Sequence, residues 1–254
     1  MITDSFDDQS PAKINVKKNP ETVKVEAVIL TFSHVIETHV SEQYPCEQVG
    51  ELFMAHGSSP VYRIGYQGKE YGFFRTWVGA PACVGSIEEV LAILDTRKVI
   101  LFGGAGCLDK VIARGKVIVP TEAYRDEGTS YHYAPASDYI PVRNSNLVQS
   151  FMEENRIPYV TGKTWTTDGF YRETINNFEK RKTDGCISVE MEGAAVQALC
   201  DFRGLELYMF FFGGDLLDAP EWTARREHGQ IKDTQHDAGH FELALDLACY
   251  ISEH

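Results

Sequence analysis

The sequence lacks several things that would place it outside the ordinary globular class. It has no apolar run near the roughly 20 residues needed to cross a bilayer; its longest, such as Leu207–Phe212, are far shorter. Positive charge is scarce, with 24 Lys and Arg against 37 Asp and Glu, a formal charge of −13. That balance offers no general attraction for nucleic acid or an anionic membrane, so an anionic substrate has to be held by a local cluster of cations. Of the six cysteines none forms a CxxC pair, and several sit in apolar segments. Reduced, buried thiols are expected, with no zinc site. Gly (21) and Pro (10) are too few for a fibrous or low-complexity chain. The polar stretch Met1–Lys18 starts with acidic residues and lacks the basic-then-apolar order of a secretion signal, so a cytoplasmic protein is expected.

What is present is a chain of 254 residues, 43% apolar and 24% charged. This suffices for one large domain over 1–254, with an irregular arm over 1–22. Val25–Phe32, Val99–Phe102, Cys186–Glu190 and Leu207–Phe212 are nearly continuous apolar segments, as in strands buried on both faces. Val117–Pro120 is a further strand, followed by the polar stretch Thr121–Tyr133. Val61–Tyr66 and Tyr71–Val78, around Gly68-Lys69, predict a hairpin. Helical patterns occur at His34–Tyr44, Asn144–Arg156, Tyr171–Lys182 and Gly193–Phe202. A last helix carries Phe241, Ala244, Leu245, Ala248 and Ile251 on one face. Gly79–Gly85 reads as a small-residue loop, with Ser86 capping a helix that presents Ile87, Val90, Leu91 and Leu94.

Alternating strands and helices predict a three-layer α/β/α fold with a central mixed, largely parallel sheet. In such sheets ligands bind beyond the carboxyl ends of the strands. Three strand ends finish in glycine or acid: Gly103–Gly106, Glu190–Gly193 and Gly213–Asp215. Their convergence would make one site. In Ser188-Val189-Glu190-Met191-Glu192-Gly193 two carboxylates flank one methionine at a strand-to-helix junction. A carboxylate there can accept two hydrogen bonds from a vicinal diol such as ribose O2′ and O3′. A single glutamate there is better explained by the dipole of the following helix.

Taken in order, these segments resemble the nucleoside phosphorylase superfamily of the trimeric and hexameric type. That group includes uridine phosphorylases, bacterial purine nucleoside phosphorylases and hydrolytic nucleosidases. The resemblance rests on Val189–Ala195 (VEMEGAA), Gly103–Gly106 (GGAG), Gly115–Pro120 (GKVIVP), Arg125–Tyr133 (RDEGTSYHY), Thr167–Thr174 (TDGFYRET) and Gly214-Asp215. Two of them, RDEGTSYHY and TDGFYRET, look most like the uridine-phosphorylase-like branch. The resemblance implies the phosphorylase/hydrolase-like fold and a role for each matched position. Met191 and Glu192 would hold the ribose, with Glu190 fixing their geometry. Phe170 would pack against the base and Arg172 would reach a base oxygen. Asp215 would protonate, or hydrogen-bond to, a purine N7. Cleaving the N-glycosidic bond passes through an oxocarbenium-like sugar, which a carboxylate favours, while an acid neutralises the leaving base. No metal or organic cofactor is implied; phosphate is the co-substrate.

The phosphate positions depart from that pattern. Where relatives carry Gly and Arg after the first strand, this chain has Thr31-Phe32-Ser33-His34-Val35. An expected Arg, and a Ser or Thr, are replaced by Leu101 and Gly104. The phosphate contacts left are Arg63, whose counterpart reaches across a subunit interface, then Arg75 and the backbone of Gly104. The implied activity is phosphorolysis of a purine or pyrimidine nucleoside to free base and ribose 1-phosphate, in a homo-oligomer (a dimer, a trimer of dimers or a hexamer). Its partners are nucleoside and phosphate, with no nucleic acid and no membrane. Two alternatives stay open: hydrolysis, with His34 or Glu37 activating water, and a non-catalytic nucleoside sensor. Asp215 leans to purines and the uridine-like segments to pyrimidines.

Overall fold

The structure is a computed structural model that describes residues 1–55, 57–112, 116–218 and 234–253, without the side chains of 234–238. Gly115, which opens one matched segment, lies outside the described residues. After the arm come β1 (Val23–Lys24), β2 (Val28–Thr31), α1 (His34–Gln43), β3 (Cys46–Met54), β4 (Gly57–Tyr66), β5 (Lys69–Arg75) and α2 (Ala80–Val90). The central part holds β6 (Leu94–Asp95), β7 (Lys98–Cys107), β8 (Val117–Asp126), β9 (Tyr139–Pro141), α3 (Ser145–Glu154) and β10 (Tyr159–Thr167). Last come α4 (Ile175–Thr183), β11 (Cys186–Glu190), α5 (Gly193–Arg203), β12 (Glu206–Leu216) and α6 (Thr234–Ile251).

The apolar strands are apolar throughout because each of their faces meets its own helices. Successive strand side chains point to opposite faces. Val28, Leu30, Val99, Leu101, Met209 and Phe211 pack in one core with α2 and α5. Their neighbours Ile29, Ile100, Phe102, Tyr208 and Phe210 pack in a second core with α1, α3 and α6. These are the expected three layers around a mixed sheet. The strand order is β11-β10-β8-β12-β7-β2-β5-β4-β3, with β9 beside β8. The pairs β2–β5, β2–β7, β7–β12, β8–β10 and β10–β11 are parallel. The sheet also curls: β11 pairs antiparallel with β7, Val189 opposite Gly106, so β7, β12, β8, β10 and β11 close a ring. Gly106 permits that approach, since a Cβ there would lie 2.9 Å from a Val189 methyl and 2.7 Å from Leu217.

Several boundaries differ from the sequence expectation, each for a tertiary reason. The segment Gly79–Gly85 is not a loop: α2 starts at Ala80, after Gly79 at φ +104° and with Pro81 in its first turn. Ser86 therefore caps nothing; it is buried mid-helix, and its hydroxyl donates to the Ala82 carbonyl at 2.8 Å. The glycines 103–106 continue β7 because β12 and β11 pair with them. The polar stretch after Pro120 stays extended to Asp126 because β10, which the apolar pattern did not reveal, pairs along it from Tyr159 to Thr167. The expected helix from Tyr171 is shortened. A 3-10 turn at Phe170–Arg172 comes first, and α4 begins at Ile175 with Thr174 as its cap. The hairpin is present, with Gln67 (φ 49°) and Gly68 (φ 76°) forming its two-residue turn.

The face of α6 is buried as expected. Phe241 is fully buried, with its ring edge-on to Phe73 at 5.1 Å and Tyr44 at 5.3 Å. Phe241→Ala is therefore expected to cost about 3–5 kcal/mol, measured as a lower urea midpoint with an unchanged slope.

Candidate active site

The carboxyl ends of β2, β7, β11 and β12, with the turn after β10, surround one cavity of about 1370 Å³. Gly103, Gly104, Gly106, Glu190, Met191, Glu192, Gly214 and Asp215 all line it, so the three glycine- or acid-terminated strand ends do converge.

Glu190 ends a strand whose five residues are all buried. Its carboxylate accepts hydrogen bonds from Thr166 Oγ1 (2.5 Å), from Thr164 Oγ1 (3.4 Å) and from the backbone N–H groups of Glu192 (2.8 Å) and Gly193 (2.5 Å). A negative group is favourable there, because those N–H groups open α5. Position 193 must stay small: a Cβ would sit 3.0 Å from the carboxylate. Burial pushes the Glu190 pKa up, opposed by these hydrogen bonds.

Glu192 is also buried, and one of its carboxylate oxygens accepts from the Gly79 N–H at 2.6 Å. Burial, and then the Glu190 charge, push its pKa up to about 8. A buried acid with a raised proton affinity gains most from a cation placed beside it.

Phe170 is 43% exposed, which takes it out of the core and puts it in the cavity wall. Arg172 is exposed and is not among the residues lining the cavity. Glu173, for which the sequence offered no role, does line it. Burial and the charge of Asp215 raise its pKa to about 7. The available signal was its place in the TDGFYRET segment. Arg125, from the other uridine-like segment, is buried and works locally. It donates to Ser130 Oγ (2.8 Å) and to the carbonyl of Pro135 (2.6 Å), folding the loop after β8.

Of the residues expected to bind phosphate within one subunit, Gly104 lines the cavity and Arg75 does not; Arg63 was expected to act in a neighbouring subunit's cavity. A Cβ at position 104 would meet no neighbour within 4 Å. Arg63 forms ion pairs with Glu47 and, at 3.6 Å, with Glu70. Arg75 pairs with Glu37 at 2.6 Å, so both guanidinium groups are held by glutamates outside the lining. Among the described residues, Lys110 is the one Lys or Arg in the wall, opposite Glu173, Glu179, Glu190, Glu192, Asp215 and Asp218. Among the described residues no group of three His, Cys, Asp or Glu side chains is arranged to hold a metal ion, and no helix is long and apolar enough to cross a membrane.

Residues 27–241 match the phosphorylase superfamily, and the chain belongs to that family. It is thus an enzyme of the nucleoside phosphorylase and nucleosidase superfamily. Among curated relatives, a DeoD-type purine nucleoside phosphorylase of Exiguobacterium sp. is 24% identical over 235 residues, covering 91% of this chain and 94% of the relative. One of Bacillus cereus is 25% identical over 186 residues, covering 72% and 77%. Among solved structures, the purine nucleoside phosphorylase of Toxoplasma gondii superposes with a TM-score of 0.73 at 18% identity, covering 96% of this chain and 99% of that one. The AMP nucleosidase of Bacteroides thetaiotaomicron gives 0.66 at 19%, covering 90% and 89%. These relatives are purine enzymes by name, not uridine phosphorylases.

The raised Glu192 pKa fixes a sign for stability. The folded state holds this proton up to about 8, whereas the unfolded chain releases it near 4.3. Folding stability therefore falls as pH rises through that window. Glu192→Gln is expected to flatten the fall, gaining roughly 1–3 kcal/mol on wild type between about pH 5 and about pH 8.5. Urea midpoints across that range check it; parallel curves for variant and wild type would contradict the assignment.

Proposed function

We propose that the protein cleaves the N-glycosidic bond of a purine nucleoside. The observation that carries this is the meeting of Glu192 and Asp215 in one cavity with Phe170 in its wall. In this reading Met191 and Glu192 hold the ribose. Glu192 favours the sugar as it becomes cationic at C1′, and Glu190 holds the Glu192 backbone in place. The bonding pair of the C1′–N bond passes to the base, and the Asp215–Glu173 side supplies its proton. Purine specificity is supported by the presence of Asp215 in the cavity wall, where an acid could serve N7, and by the names of the relatives.

Water is the acceptor that this cavity favours. A phosphate dianion entering it would meet six acidic side chains and one lysine among the described residues of the same subunit, at a cost that water avoids. Arg63 and Arg75 are held by Glu47, Glu70 and Glu37. The oxygen of water bonds to C1′, and the proton it releases restores the acid. Phosphorolysis is the second reading, favoured by the named purine nucleoside phosphorylases, which this chain matches over nearly their whole length. A homo-oligomer in the cytoplasm, its six cysteines unpaired, belongs to both readings.

Incubating the protein with purine and pyrimidine nucleosides, with and without phosphate, tests this. Free ribose formed at a phosphate-independent rate is expected; ribose 1-phosphate would establish phosphorolysis instead. Base-independent binding without cleavage would leave only a sensor. Asp215→Asn is expected to lower kcat by about 10²–10⁴-fold with an unchanged melting temperature.

A further inference from the structure

The acid supply of the cavity has a second member that the family pattern leaves without a role. Glu173 stands between two tightly turned pieces of backbone. The Arg172 N–H donates to the Gly169 carbonyl at 2.6 Å, and the Thr174 N–H donates to the Arg172 carbonyl at 2.7 Å. The second bond, with Glu173 at φ −68° and ψ 71°, makes Glu173 the centre of an inverse γ-turn. Thr174 then caps α4. The backbone of Glu173 is thus fixed from both sides, and the residue lines the cavity together with Phe170 and Asp215. Among the described residues, no hydrogen bond or ion pair is made by its carboxylate. The fold gains nothing from a half-buried acid placed this way, which makes a role toward a ligand the better explanation.

We propose that Glu173, paired with Asp215, makes the cavity selective for nucleosides of 6-aminopurines over those of 6-oxopurines. The inference rests on the nucleoside-cleaving reading above and narrows its substrate. The edge of adenine that carries N7 presents one acceptor, N7, and one donor, the 6-amino group. Both acids line the same cavity, and burial together with the Asp215 charge holds a proton on Glu173 up to about 7, so the pair can offer one donor and one acceptor. One carboxyl donates to N7 and the other accepts from the amine, so donor and acceptor match. A 6-oxopurine presents two acceptors on the same edge. It would need a proton on both acids or leave an ionised carboxylate against O6. The other charged groups sharing the cavity are Asp218 beyond β12, Glu179 on α4, Lys110 after β7, His240 on α6, and Glu190 and Glu192 at the end of β11. Among the described residues, after burial, the Asp215 charge is what raises the Glu173 pKa.

The test is kcat/KM for adenosine, inosine and unsubstituted purine riboside, with wild type and Glu173→Gln. Wild type is expected to prefer adenosine over inosine by about 100-fold or more, since a buried polar group would otherwise stay unpaired. The glutamine can donate to O6, so the adenosine-to-inosine ratio should fall at least about tenfold. Equal cleavage of adenosine and inosine by wild type would overturn the proposal, as would a variant that slows all three substrates by one factor. Calorimetric binding of free adenine and hypoxanthine to wild type separates this from the broader reading. If no nucleoside is cleaved but adenine alone binds, the selectivity stands and the catalytic reading fails. Equal affinity for the two bases would remove the selectivity whatever the enzyme does, and this measurement does not depend on the variant folding.

Discussion

The structure around the cavity depends on how one buried carboxylate is satisfied. Glu190 is buried, so its charge is made tolerable by the hydroxyls of Thr164 and Thr166 and the first N–H groups of α5. The same threonines extend the network, since Thr166 Oγ1 accepts from the Ala194 N–H and Thr164 Oγ1 from the Ser188 hydroxyl. One side chain therefore ties β10, β11 and the start of α5 together. Glu192 inherits its place from that tie, and Gly79, at the start of α2, fixes it from the opposite side. Ribose recognition, on this account, is built on a junction of four elements.

Charge then shapes what the cavity accepts. Among the described residues six acids line the cavity, and Arg63 and Arg75 are engaged by glutamates. Packing acids together in a partly closed space raises their proton affinity, as Glu192 and Glu173 show. Such acids can donate protons near neutral pH, which suits a departing base. They also favour a sugar cation, which relieves the crowding of negative charge as the bond breaks.

The glycines have a structural part in the same arrangement. Gly103 and Gly106 lie within a strand whose neighbours press close: a Cβ at Gly103 would meet the Phe32 ring at 3.2 Å. Gly106 allows β11 to cross onto β7, and that crossing closes the ring of strands. Without it, Glu190 and Glu192 would end at an outer strand, away from Gly104 and Asp215.

The sequence by itself determined the layers, because a strand such as Leu207–Phe212 with no polar alternation can only be covered on both sides. It determined the buried face of α6, through the spacing of Phe241, Leu245 and Ala248. VEMEG and Gly214-Asp215 stood out as chemistry through their order in the family pattern, since a lone acid at a strand end is also explained by the dipole or cap of the next helix. It did not show β10 or the far half of β8, whose polar residues are extended only because each pairs with the other. Tertiary structure alone decided that Arg75 pairs with Glu37 rather than lining the cavity, that Arg172 lies outside it, and that Glu173 lies within it. The direction of an exposed side chain depends on neighbours distant in the chain, and no local spacing encodes them.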